Sequence, residues 1–449
     1  MRETPRDNRL SPEDRLLICC AGVRDADDAG ESTCAEISGQ LDWDGVVEKS
    51  IRHGVASLLH LYLSGSGVQH EVPPDVARRL ERVYYANAMR AVQAEEQLCG
   101  ILRPLGSNGV ETILLKGLHL SKSIYRNVAS RPTGDIDLLI KRQDIGRTDR
   151  LLREIGFDRA PGSFPLRYYR GIHFHLMYVG GRDTGSIPLE IHWDLKDRFT
   201  ILGFDMDEIW AGAGRWKIGD SATNTMCPDH LLAYLCYHAD KHTCFSRYIY
   251  DFSQIEPDLV LGNAVSAELL WYADILRLIH LEGDGIRWDR LAEHCRKWGI
   301  EGEVYASLAV TDKVFRTSVA AEPLGLLSRP KPRRLQAAVC RRLMAPAGSA
   351  GARAQGTGRR RLLESGTGLQ FRPFKLLDIL DYMFPEPGLF RRAFSVRGPK
   401  LALRYTGHVV EASLRIVYSL GLLVCSAGWK TAVRIPALRR MRGSGSPEA

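Results

Sequence analysis

The chain has 449 residues, 45% of them apolar and 25% charged, which is ordinary for a soluble globular protein of two to four domains. A net charge of +8 permits phosphate-bearing partners without requiring them. Ten cysteines without a CxxC pair argue against a zinc ribbon or a redox motif, and reduced thiols in the cytoplasm are the expectation.

The first residues, MRETPRDNRLSPEDRLLICCAG, carry acids and a proline before a very short apolar run, unlike a signal peptide. Ser11 to Gly22 predicts a capped helix with Pro12 at its first position. Helical spacing returns from Leu41 to Gly65, with Gly54 as a break, and a long amphipathic helix is predicted from Pro74 to Leu105. The expected N-terminal helical region is therefore 1–107. Residues 108–203 have the grammar of a small α/β unit. Strands are predicted at VETILL, at Gly134 to Ile140, at His173 to Val179 and at Ile187 to Leu195. Helices are predicted at LHLSKSIYRN and DIGRTDRLLREIGF.

From Phe204 the pattern turns helical, giving an expected helical domain over 204–325. A basic, low-complexity linker follows over 326–369, where Lys331, Arg333, Arg334, Arg341, Arg342 and Arg359 to Arg361 accumulate. Residues 329–361 suit a weak anionic partner, but they lack the interleaved aromatics of a base-stacking platform. The last segment, 370–449, is read as helical with a basic tail. Its longest uncharged apolar run, Ile416 to Trp429, falls short of the ~20 residues a membrane span needs. No span is expected.

The sharpest chemical signal runs from Ile113 to Ile140. Residues two apart in a strand share a face, so Asp135 and Asp137 stand together while Ile136, Leu138 and Ile140 face the other way. Two neighbouring carboxylates repel unless a cation lies between them, and hard oxygen donors suit Mg²⁺ or Mn²⁺. Glu190 arrives on a later strand and shares its face with His192. Lys116-Gly117 forms a turn at which backbone and ammonium can approach phosphate, and Arg131 is placed for a bidentate phosphate contact. Three carboxylates on one sheet suit two-metal phosphoryl or nucleotidyl transfer.

His173 and His175 alternate on a strand near Glu190 and read as structural histidines. His238 and His242 have an i,i+4 spacing without HExxH or a third ligand, and read as packing between the helical domain and the sheet.

The pattern LLKG…Y…RPTGDIDLLI…LEIHWDL resembles the uncharacterised nucleotidyltransferase family of the polymerase-beta-like superfamily, with likeness from about Asp42 to Ala320. The resemblance implies an α+β fold, a small mixed sheet flanked by N-terminal and C-terminal helical regions. It implies metal ligation by Asp135, Asp137 and Glu190, and a phosphate turn at Lys116 and Gly117. Arg131 sits where the family places an arginine before the Asp pair, and His192 is a candidate nucleotide contact. The implied activity moves an NMP group from an NTP to an acceptor hydroxyl with release of pyrophosphate. The alternative is a nucleotide-binding or scaffold protein that keeps the fold without turnover.

Overall fold

A computed structural model describes residues 10–22, 41–65, 69–160, 166, 174–180, 186–195, 203–243, 261 and 268–327. The expected linker and last segment, 326–449, lie outside these apart from residues 326 and 327. Ala160, Leu166 and Phe174 aside, the described residues belong to one compact unit, formed by Met1–Arg159, His175–Leu195 and Gly203–Arg353.

Among the described residues four α-helices come first: α1 (Pro12–Gly22), α2 (Trp43–Arg52), α3 (Ala56–Gly65) and the 34-residue α4 (Pro74–Ser107). Local chemistry sets their ends. Asp42 caps α2 by accepting from the Gly45 amide at 3.0 Å, and the break before α3 falls at Gly54, where φ is +71°.

The sheet is mixed and has seven strands: β1 (Thr112–Leu114), β2 (Ile136–Ile140), β3 (Phe157–Arg159), β4 (His175–Gly180), β5 (Leu189–His192), β6 (Gly214–Ile218) and β7 (Ser221–Thr225). Their order is β3-β4-β5-β2-β1-β7-β6. At its centre β2 runs antiparallel to β1 and parallel to β5. Helices α5 (Leu118–Ser123) and α6 (Ile145–Glu154) link the early strands, and α4 packs against both and against β7. The fold is thus α+β, with helical regions on either side of a mixed sheet.

Four strands depart from the reading of the sequence. The stretch after Phe204 is not wholly helical. After α7 (Met206–Ala211) it forms the β6–β7 hairpin, turned at Gly219-Asp220 with φ of +54° at Gly219. Phe157, read as a helix end, instead starts β3. The Asp-x-Asp strand also begins at Ile136 rather than Gly134.

Beyond the hairpin lie α8 (Pro228–Thr243), α9 (Leu269–Glu282), α10 (Trp288–Trp298), α11 (Glu301–Phe315) and α12 (Ala321–Leu326). Gly299, in the left-handed conformation, ends α10. Leu16, Leu59, Leu232, Tyr272, Trp298 and Val310 belong to one apolar core, so the early and late helices fold together. Ile113, Leu115 and Leu139 join the same core from the sheet. No helix among the described residues is long and apolar enough to cross a membrane.

Candidate active site

The site starts where β1 ends. The Leu115 amide donates to the Asp137 carbonyl at 3.1 Å, which fixes the chain on β2 just before the turn. Gly117 then adopts φ 59°, ψ −110°, a conformation that L side chains rarely take. This turn delivers the Lys116 ammonium to both carboxylates, 2.5 Å from Asp137 Oδ2 and 3.4 Å from Asp135 Oδ1. The cation that the paired aspartates demand is thus supplied, in this structure, by the chain itself.

Asp137 lies on β2 and pairs in register with Glu190 on the parallel β5, so both carboxylates share a face. His192 is next on that face. Its Nε2 lies 3.1 Å from Asp137 Oδ1 and 3.2 Å from Glu190 Oε2. Donor atoms of Asp137, Glu190 and His192 all fall within 4.8 Å of one another. Asp135 stands one residue before β2, on the far side of the Lys116 ammonium and more open to solvent.

The electrostatics follow from burial and pairing. Burial opposes charge on Asp137, yet Lys116 and His192 more than offset it and hold its carboxyl far below the usual carboxylate range. Burial, then the Asp137 charge, pushes the Asp135 carboxyl up. Burial also opposes charge on Lys116 and His192, but their carboxylate partners win and raise both.

Two contacts from outside the sheet hold the loop ahead of Asp135. Arg90 of α4 donates to the carbonyls of Thr133 and Gly134 at 2.6 and 2.9 Å. From the other side, Arg131 grips Asp274 of α9, with Nε 2.9 Å from Oδ1 and the terminal nitrogen 2.8 Å from Oδ2. Tyr125 donates to the same carboxylate at 2.7 Å. Arg131 is thus buried and paired with Asp274 inside the protein, and in this geometry it anchors the loop.

Helix α8 forms a wall near the carboxylates. Burial, then the charge of Asp137, pushes the Tyr234 hydroxyl up, and Lys116, Asp135 and Glu190 act on it as well. Burial, then Lys116, holds His238 neutral. The His238 ring lies 4.6 Å from that of His242, and both lie within 6 Å of the Trp271 ring on α9. His238 and His242 thus pack against Trp271, and His238 and Tyr234 also feel the charges of the site, a role their helical spacing did not mark. His175 stacks on His192 with ring centroids 5.1 Å apart, while His173 lies outside the described residues.

A family model described as uncharacterised nucleotidyltransferase matches residues 39–316. The chain belongs to that family, and its class is that of the nucleotidyltransferases. No curated protein and no solved structure matches it.

Enzymes of this class usually need a divalent metal, and the donor set fits one. Asp137 and Glu190 offer hard oxygens and His192 a borderline nitrogen, all close enough to converge on one ion. Asp135 adds a carboxylate at the open side, bridged to the same cluster through Lys116.

Proposed function

We infer that the chain is a metal-dependent nucleotidyltransferase that moves an NMP group from an NTP to an acceptor hydroxyl and releases pyrophosphate. The observation that carries this reading is the pairing of Asp137 with Glu190 across β2 and β5, with Lys116 and Asp135 at the same mouth. Asp135, Asp137 and Glu190 would hold Mg²⁺ or Mn²⁺, as two ions in the full complex, with His192 completing or orienting the set. Such ions supply charge neutralisation of the triphosphate and a lowered pKa for the attacking hydroxyl.

The chain's own groups do the rest. Gly117 lets the backbone of the turn come close to phosphate oxygens, and Lys116 adds positive charge beside them. Arg90, and Arg131 through Asp274, hold the loop that sets Asp135, because transfer of this kind depends on positioning more than on covalent chemistry. Burial of Asp137 excludes water and strengthens each charge contact inside the site. The unit over 108–203 would thus carry the phosphate chemistry. The helical domain over 204–325, through α8 and α9, would wall the acceptor side.

Incubation with an NTP labelled on its α-phosphate, divalent metal and a cell extract tests this reading. A labelled acceptor and released pyrophosphate are expected, both lost in Asp137→Asn. Full activity in that variant would sink the proposal.

One observation favours the alternative of a nucleotide-binding protein without turnover: Lys116 and His192 already neutralise Asp137 from within. Calorimetry with ATP and GTP, with and without Mg²⁺, separates the two when joined to a pyrophosphate assay. Metal-dependent binding without release would favour the alternative.

A further inference from the structure

We propose that Lys116 is a tethered counter-ion which competes with the divalent cation: its ammonium bridges Asp135 and Asp137, and an entering ion must displace it. This rests on the metal-binding reading above and adds a rule for how the site fills.

The argument is geometric. The Lys116 ammonium lies between the two carboxylates, 2.5 Å from one and 3.4 Å from the other. A cation bridging the same oxygens would need that same space, and two cations there would repel across a buried, weakly screened gap. The other edge of Asp137 is different in kind. His192 faces it, and an imidazole nitrogen is a metal-ligand type, whereas an ammonium has no lone pair to offer.

Lys116 is also built to move. Its main chain is pinned by the strand bond at Leu115 and by the Gly117 turn, while its charge rides on a flexible four-carbon stem. Displacement therefore asks for rotation of side-chain bonds and no change in the sheet. It would free the ammonium for the phosphates of an incoming nucleotide at the moment the metal arrives.

Two measurements test the idea on the full chain without nucleotide. In the first, Mn²⁺ binding is followed by electron paramagnetic resonance for the wild type and Lys116→Met. Removing the competitor should tighten Mn²⁺ binding on the order of tenfold, about 1.4 kcal/mol. Equal or weaker binding in Lys116→Met, with Mn²⁺ bound by the wild type, overturns the competition and leaves the metal site standing. No Mn²⁺ bound by either protein overturns the metal reading as well.

The second uses the wild type alone and so does not depend on how the variant folds. Acetylation of Lys116 by an amine-reactive ester, read by mass spectrometry, should speed up several-fold on saturation with Mn²⁺. An unchanged rate on saturation overturns the proposal.

Discussion

Asp137 and Glu190 lie opposite each other across the parallel strands β2 and β5, and His192 links them through one ring nitrogen. The pairing makes the two carboxylates a unit that no local stretch of chain could form. Asp137→Asn and Glu190→Gln are each expected to lower the rate of pyrophosphate release by at least ~100-fold, the scale of single electrostatic contacts at a transition state. Steady-state assays with Mg²⁺ and with Mn²⁺ check this. Activity within a few-fold of wild type in either variant would remove that residue from the ligand set.

The Arg131–Asp274 pair makes a different prediction, because it is buried and lies on the loop rather than at the carboxylates. Removing one partner strands the other charge inside the protein. Asp274→Ala should therefore lower unfolding stability by about 3–5 kcal/mol. Urea denaturation checks it, and a loss below about 1 kcal/mol would show that the pair does not anchor the loop.

Much of this site was legible in the sequence because period-two alternation is a strong signal. Asp137 on the inner face and Ile136, Leu138 and Ile140 on the other follow from it directly, and Glu190 and His192 repeat the logic on β5. The stop at Gly54 was equally plain, because glycine is the residue that takes the positive φ found there at little cost. The hairpin of β6 and β7 was not seen. Its five-residue strands lie between helical stretches, although Gly219-Asp220 after Trp216-Lys217-Ile218 was the available turn signal. Asp274 could not be paired with Arg131 from spacing, because nothing local marks a partner on a distant helix. Tyr234 and His238 were hidden for a related reason: residues four apart on a helix read the same whether they face a core or a site.

His119 supplies a test of pH dependence. It is buried, edge-on to the Trp216 ring, and burial pushes its pKa from 6.5 down to about 4. Between those values the unfolded chain binds a proton that the folded protein does not. Stability from keeping this ring neutral is therefore full above 6.5 and is lost as pH falls towards 4. The slope is at most about 1.4 kcal/mol per pH unit. His119→Phe should flatten the stability profile across that window by up to one proton, as read from urea denaturation. An unchanged slope would show that another group governs the loss.

Gly117 is the backbone position on which the phosphate turn depends, and it can be tested apart from any charge. At φ 59°, ψ −110° an added Cβ would meet the Asp135 carbonyl at 3.5 Å, an ordinary contact, so the penalty of Gly117→Ala comes from the backbone and not from a clash. That strain is about 1–3 kcal/mol. Relief by rotating the turn would carry Lys116 away from the carboxylates, so pyrophosphate release should fall even where the protein stays folded. Gly134→Ala is the control, since nothing lies within 4 Å of its Cβ and its φ is not positive. That variant should stay within about 0.5 kcal/mol of wild type and keep its activity. Parallel thermal denaturation and pyrophosphate assays on the two variants decide the matter. Equal behaviour of both would show that the turn's conformation does not set the site.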